Sequence, residues 1–361
     1  PVYANPANVE GMTTDDYDLY SFDQSETDEW RNYEAGAFNL VPGKGYLYAK
    51  KATTETPNYE FTLTGTPYSG NGEVALSYDA DASLAGWNLI GNPLGSNATL
   101  DQAYYRLNAE GSALNATTES TAVSVMEGVF VQATEAGQTA TFTAQTRGTA
   151  AHIAQANIVV NQNGTAVDNA IVRFDGGSTL GKLQLFEGNA KVYFTEEGRD
   201  YAIVSSEAQG EMPVNFRASE NGTYTLSVDV ENVEMTYLHL IDNMTGADVD
   251  LLSSLRSNGA MEYSFEAKTT DYASRFRLVF NANTICEDAD GDNAFAYFNG
   301  NAWTIANTGE ATLQVMDMTG RIVSSQAISG HATVSLNQPA GIYMLRLING
   351  NDVKVQKIII K

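Results

Sequence analysis

The chain has 361 residues, of which 43% are hydrophobic and 18% charged, and its formal net charge is −24 at pH 7. This length predicts about two or three domains, each large enough to bury a core. So acidic a chain argues against nucleic acid as a partner, because it would repel the phosphate backbone. Its one cysteine, Cys286, excludes an intramolecular disulfide.

The first part of the chain, residues 1–150, predicts an internally duplicated β domain. Three elements recur in the same order: a tyrosine-rich strand, a glycine-led turn that enters an apolar strand, and a further strand. They lie at 17–22, 42–48 and 59–63 in the first copy and at 104–107, 126–131 and 141–143 in the second. This spacing indicates a repeat of roughly eighty to ninety residues, longer than a solenoid unit.

Two tryptophans in this region receive different interpretations. Trp87 alternates with Leu89 along a predicted strand, so we expect it in the core and not on a sugar-binding face. Trp30 lies among charged residues in a segment that we predict to be a polar loop. It is therefore the better candidate for an exposed, ligand-facing aromatic side chain.

Residues 151–284 predict a β-sandwich domain, because short strands alternate with turns that contain glycine or asparagine. The predicted strands are 157–160, 170–174, 182–186, 191–194, 201–204, 214–217, 223–228, 237–241 and 275–280. Only residues 250–255 indicate a helix, since Asp250 can cap a turn before Leu251. The fold class predicted for the whole chain is all-β, built from several β-sandwich domains.

The residue types that most often bind metals or catalyse reactions are scattered through the sequence. His152, His239 and His331 fall in different predicted elements, which argues against a metal site built on histidine. Cys286 stands beside acidic residues, which disfavour a reactive thiolate. The chain contains neither a nucleophile elbow nor a phosphate-binding loop. We therefore expect no enzymatic activity from it.

An acidic segment ahead of the last domain is the best remaining candidate for a metal site. Asp288, Asp290 and Asp292 place three carboxylates at alternate positions, and carboxylate oxygens are the ligands that calcium prefers. The spacing departs from a calcium-binding EF-hand loop, because Asn293 replaces the glycine of the sharp turn and Asn299 replaces the closing glutamate. We expect a solvated acidic linker and no cofactor, with calcium binding as the alternative.

The last part of the chain, residues 285–361, predicts a small immunoglobulin-like antiparallel β-sandwich. Strands at 313–315 and 322–323 flank a tight turn, in which Gly320 can take the positive φ that the reversal needs. The turn and its flanking strands therefore predict a β-hairpin.

A second hairpin is predicted at the end of the chain. A three-residue loop at 349–351 sets Leu347 opposite Val353 and Leu345 opposite Val355. In that pairing the apolar side chains of the two strands share one face of the sheet. The sequence therefore predicts that Val353 and Val355 are buried.

Six residues near the end of the chain occur in a distinctive order. They are Gly320, Arg321, Gly341, Tyr343, Lys357 and Lys361. As a set, this segment resembles the C-terminal sorting domain of the type IX secretion system of the Bacteroidetes, and an ordinary immunoglobulin-like domain is the alternative. The resemblance implies the secretion machinery as a partner and export across the outer membrane, to the cell surface or the extracellular space.

Two functions stay open for the modules ahead of this segment. We expect non-catalytic adhesion or ligand display, with a glycan or a host surface molecule as the ligand. The alternative is that they are accessory, carbohydrate-binding domains of a secreted hydrolase whose catalytic domain lies upstream. The chain begins at Pro1, and it shows neither a signal-peptide pattern nor an apolar run of the roughly eighteen residues that span a membrane. We therefore expect it to be the C-terminal region of a longer exported protein.

Overall fold

The computed structural model describes residues 2–14, 16–51, 59–145, 152–284, 295–298, 302–305, 307, 309–317, 320–330, 332–336, 338–350 and 352–360. The chain forms two compact units, Pro1–Ile285 and Cys286–Lys361. Both units are built from β-sheets whose strand pairs are antiparallel except for one parallel pair in the first unit, so the predicted all-β, multi-sandwich class is confirmed. The predicted domain divisions stay predictions: one lies next to the division between the units and the other, at residue 150, lies inside the first unit.

The first part of the first unit consists of short strands. They are β1 (Val2–Tyr3), β2 (Tyr17–Phe22), β3 (Trp30–Asn32), β4 (Tyr46–Lys50), β5 (Thr66–Pro67), β6 (Glu73–Ala75), β7 (Trp87–Gly91), β8 (Ala98–Leu100), β9 (Tyr104–Leu107), β10 (Leu114–Thr117), β11 (Gly128–Gln132) and β12 (Thr139–Ala144). Their sheets have the orders β3-β2-β4, β10-β9-β11-β7, β6-β12-β8 and β1-β5. The 3-10 helix Pro6–Asn8 begins after Asn5, whose side chain accepts the N–H of Ala7.

Two groups of three strands in this region share one arrangement. In the first group β2 lies between β3 and β4, and in the second β9 lies between β10 and β11. Tyr20 of β2 stands opposite Asn32 and Leu47, as Tyr105 of β9 stands opposite Ala116 and Phe130. The predicted strand at 59–63 is not found: these residues have no ladder partner in the described part of the chain.

The second part of the first unit contains longer strands and an α-helix. The elements are β13 (Gln155–Gln162), β14 (Thr165–Arg173), β15 (Leu180–Gly181), β16 (Lys191–Glu196), β17 (Arg199–Ser205), β18 (Gln209–Arg217), β19 (Gly222–Glu231), β20 (Val233–Asp242), β21 (Ala247–Asp250), α1 (Leu251–Asn258), β22 (Glu262–Ala267) and β23 (Phe276–Thr284). Asp250 caps α1 by accepting the N–H of Ser253, which confirms the predicted helix start. The predicted strand at 182–186 is not formed, because pairing stops at Gly181.

The strands of this second part enclose one large core. Their sheet follows the order β21-β20-β23-β18-β16-β17-β14-β13-β19-β22. Ile158 of β13, Leu240 of β20 and Leu278 of β23 are fully buried in the same cluster, so distant parts of the sheet face each other as in a sandwich. Each such side chain contributes about 1.5–3 kcal/mol by leaving water.

A second core joins the two parts of the first unit. Trp87 and Phe130 from the first part pack together with Ile171 and Ile203 from the second, and Trp87 is only 4% exposed. Its predicted core position is therefore confirmed. Asn169 strengthens the contact, because its side chain both accepts the N–H of Ala116 and donates to the carbonyl of Ala116, at 2.7 and 3.0 Å.

The second unit is a sandwich of two antiparallel sheets. Its strands are β24 (Ala296–Phe298), β25 (Trp303–Ile305), β26 (Glu310–Asp317), β27 (Ile322–Ser329), β28 (Ala332–Val334), β29 (Gly341–Asn349) and β30 (Asp352–Ile360). One sheet has the order β24-β25-β28 and the other β27-β26-β29-β30. Ile305 and Val334 of the first sheet pack against Leu313, Leu345 and Ile358 of the second, which closes a single core.

Candidate functional site

The hairpin of β26 and β27 contains the first two residues of the distinctive C-terminal set. Gly320 has φ +82°, a left-handed conformation that side chains with a Cβ rarely adopt. Asp317 then accepts two hydrogen bonds from Arg321, one from its backbone N–H at 3.1 Å and one from Nε at 3.0 Å. The side chain of Arg321 is 78% exposed, so its guanidinium faces solvent while it is paired with Asp317.

The start of β29 holds the next two residues. Tyr343 donates its hydroxyl hydrogen to the carbonyl of Pro339 at 3.0 Å. Its ring lies over Gly341, where an added Cβ would stand 3.4 Å from the ring. Gly341 and Tyr343 thus fix the path by which the chain enters the central strand of the sheet.

The last hairpin has a different register from the predicted one. Asn349 pairs with Asp352, and Gly350, with φ +59°, occupies the turn, so the loop is one residue shorter than expected. Leu347 consequently stands opposite Lys354 instead of Val353. A shift of one residue exchanges the two faces of a strand, and Val353 and Val355 are exposed, not buried.

A buried glutamine on β30 links the two sheets of the second unit. The Oε1 atom of Gln356 accepts the backbone N–H groups of Phe295 and Ala296 at 2.9 and 2.8 Å, and its Nε2 donates to the carbonyl of Ala296 at 2.7 Å. β24 is the edge strand of its sheet, so no neighbouring strand bonds to its outer edge. The hydrogen bonds from Gln356 take the place of those missing backbone bonds. Sequence reasoning missed it, because β30 also contains Asp352, Lys354 and Lys357 and nothing local marks Gln356 as the buried polar residue.

The remaining predicted site residues are placed as follows. Lys357 lies in β30, where its backbone pairs with Met344, and Lys361 lies outside the described residues. The calcium candidates Asp288, Asp290 and Asp292 also lie outside the described residues. In the ranges that the structure does describe, no three His, Cys, Asp or Glu side chains are grouped so as to hold a metal ion.

Trp30 begins strand β3 and does not lie in a polar loop, which corrects that expectation. Its ring meets Phe22 and Phe130 edge to face, with centroid distances of 5.1 and 6.1 Å. The cause is the pairing of Trp30 with Phe22 across the sheet, which turns the ring toward the shared core. A ligand-facing role for Trp30 stays a prediction.

Three adjoining clefts surround Lys44 in the first unit, with volumes of about 250, 300 and 280 Å³. We call the last of them the Lys44 cleft; it is lined by Ser21, Asp23, Glu26, Arg31, Phe38, Asn39, Val41, Lys44 and Tyr46. Phe38 and Tyr46 stack with their ring centroids 5.7 Å apart. Arg31 and Lys44 are both exposed, and Arg31 donates to the carbonyl of Ala37 at 3.5 Å.

The buried charges of the first unit are engaged in ion pairs. Arg275 donates to both carboxylate oxygens of Asp242, at 3.1 and 2.9 Å, and the two side chains are 1% and 0% exposed. Burial opposes the charged form of Asp242, but the hydrogen bonds from Arg275 and from the backbone N–H of Met244, together with the positive charge of Arg275, outweigh burial and hold the pKa below its ordinary value. Such a pair fixes the packing of the sandwich and offers no free acid or base.

No helix of the described residues is long and apolar enough to cross a membrane. No curated protein matches the chain in sequence.

Residues 299–361 match the family described as the secretion system C-terminal sorting domain. The match covers β25 to β30, including both hairpins described above. The second unit is therefore a type IX secretion sorting domain, of a family that belongs to the Bacteroidetes, and the chain is exported to the cell surface or the extracellular space.

Proposed function

We propose that this chain is a non-catalytic, ligand-displaying region of an exported cell-surface protein. The sorting domain engages the secretion machinery and takes the chain out of the cell. The first unit, Pro1–Ile285, then presents its surface to the surroundings. The proposal is supported by the buried pair Asp242–Arg275, whose mutual hydrogen bonds leave no free acid or base there.

The observation that carries ligand binding is the Lys44 cleft. Stacked aromatic rings offer a face to the apolar side of a sugar ring, and Phe38 and Tyr46 form such a pair. Asp23, Arg31 and Lys44 surround them with acceptors and donors for hydroxyl groups. This mixture of aromatic and charged side chains is suited to a saccharide.

A glycan array probed with the full chain tests this proposal. Retention of one or more sugars, weakened at least tenfold by Phe38→Ala or Lys44→Ala, is the expected result. Lys51→Ala is the matched control, because it removes the same charge from an exposed position outside the cleft. Sugars that bind equally well to all variants would place the binding elsewhere, and no retained sugar would contradict a saccharide ligand.

The second candidate function is an accessory role for a secreted hydrolase. In that case the Lys44 cleft would hold the polymer on which an upstream catalytic domain acts. The sequence of the full-length gene decides between the two: a hydrolase domain ahead of residue 1 favours the accessory role, and further β modules favour adhesion.

We also propose that the first part of the chain arose by duplication. The strand groups β3-β2-β4 and β10-β9-β11 support it, because the central tyrosine of each group has its partners at equivalent places. Gly45 directly precedes β4 and Gly128 begins β11, and each of these strands is the third of its group along the chain. An experimental structure in which these two glycines occupy unrelated positions would contradict the proposal.

A further inference from the structure

A lysine and an aspartate form a buried pair beside the contact between the two parts of the first unit. Asp168 lies in β14 and Lys182 directly follows β15. The Nζ atom of Lys182 stands 2.7 Å from Oδ1 and 2.6 Å from Oδ2 of Asp168. The two side chains are 2% and 10% exposed, so water is almost excluded from them.

Burial makes the charged form of this pair less stable than it would be in water. It raises the pKa of Asp168 above its ordinary value and lowers the pKa of Lys182; the attraction of the partner, and for Asp168 the backbone N–H groups of Val192 and Asn169, oppose these shifts without cancelling them. The two pKa values therefore lie closer together here, and passing the proton from the ammonium to the carboxylate costs less than in water. That transfer gives a free amine, which is a nucleophile, next to a carboxylic acid, which is an electrophile.

Two further features assist a reaction between these groups. The backbone N–H of Val192 donates to Oδ2 of Asp168 at 2.8 Å, which draws electron density from the carboxyl carbon. A cavity of about 20 Å³ borders both side chains and has room for one water molecule. The site thus holds the two reactants and offers a place for the molecule that leaves.

We propose that Lys182 and Asp168 join in an intramolecular isopeptide bond. The lone pair of Nζ attacks Cγ of the protonated carboxyl group, and a bond forms between nitrogen and carbon. The carbon–oxygen bond to the acid hydroxyl breaks, and that hydroxyl leaves as water with one hydrogen of the amine. Amine and acid become amide and water, so the step needs no oxidant, reductant or other reactant.

The bond gives the first unit a covalent cross-link that its cysteine content does not allow. With Cys286 as the one cysteine, no disulfide can form within the chain. The amide closes the loop between residues 168 and 182 and fixes the segment whose Leu183 N–H meets the hydroxyl of Tyr105 at 3.4 Å. The exported chain thereby gains, within the second part of its first unit and beside the contact with the first part, a cross-link that reducing agents do not break.

The intact mass of the full chain tests the proposal. We expect a mass lower than that of the sequence by one water, about 18 Da, and a linked peptide pair containing Lys182 and Asp168 after digestion. A mass equal to that of the sequence would overturn the proposal and leave an ordinary buried ion pair. This measurement on the wild-type chain is decisive even where a variant fails to fold.

Variants locate the bond. Lys182→Arg keeps the positive charge but has no amine to acylate, so we expect its full calculated mass. Asp168→Asn still permits the same amide, now with loss of ammonia, about 17 Da. Lys191→Arg is the control, because Lys191 borders the same cavity but bonds to Gln184, and we expect it to keep the loss of one water. A mass loss that persists in Lys182→Arg would refute this pair as its source.

Discussion

Replacing Gln356 by leucine tests whether the buried amide holds the two sheets of the sorting domain together. The substitution keeps the approximate size of the side chain and removes its three hydrogen bonds to Phe295 and Ala296. Two backbone N–H groups then lose their partner in a buried place, at about 1–3 kcal/mol each. After allowance for the apolar gain of leucine, we expect the free energy of unfolding of this unit to fall by about 3 kcal/mol.

The same sheet offers a matched control. Gln314 lies in β26, and its Oε1 atom is buried without a hydrogen-bond partner in the described part of the chain. Gln314→Leu removes an unpaired polar atom by the same chemical change, so it should be neutral or stabilising. Urea unfolding, followed by hydrogen exchange in residues 295–360, gives the change in the free energy of unfolding for both variants. If Gln356→Leu costs no more than Gln314→Leu, the inter-sheet role of Gln356 is wrong.

Three further predictions concern the whole chain. Truncation before Asp288 should leave Pro1–Ile285 folded with its melting temperature nearly unchanged, yet surface labelling in the native host should find the product retained in the periplasm. Gly320→Ala should cost about 1 kcal/mol in thermal unfolding, because alanine is strained at φ +82°, whereas Gly309→Ala, with an open Cβ position, should cost less. Burial raises the pKa of Tyr104 to about 12, so between pH 10 and 12 the tyrosine keeps its proton in the folded chain and loses it on unfolding. The free energy of unfolding should therefore fall by about 1.4 kcal/mol per pH unit in this range, and Tyr104→Phe should reduce that slope.

Much of the fold could be predicted from local patterns. The strand positions of the second part follow from alternating side chains and turn residues, and the start of α1 follows from the cap at Asp250. The turn at Gly320 was likewise recognisable from its glycine. These features depend on residues close together in sequence, where propensity and turn chemistry act directly.

What could not be predicted depends on contacts between distant residues. The register of the last hairpin was wrong by one residue, because loop length alone does not say whether Asn349 belongs to the loop or to the ladder. Trp30 looked exposed among charged neighbours, yet its position opposite Phe22 turns it into the core. The Lys182–Asp168 pair and the Lys44 cleft likewise depend on how separate strands and loops pack together, which local patterns do not show.

The place where the chain leaves its first unit has a mechanical consequence. The exit strand, β23, is held by nine residue pairs to β20 on one edge and by six to β18 on the other. Interstrand hydrogen bonds run across the strand direction, so tension along β23 loads both ladders in shear and stretches their bonds together, not one after another. A protein tethered through its C-terminal side would therefore resist pulling far better than its thermal stability alone suggests, since forced unfolding depends on the height of that barrier.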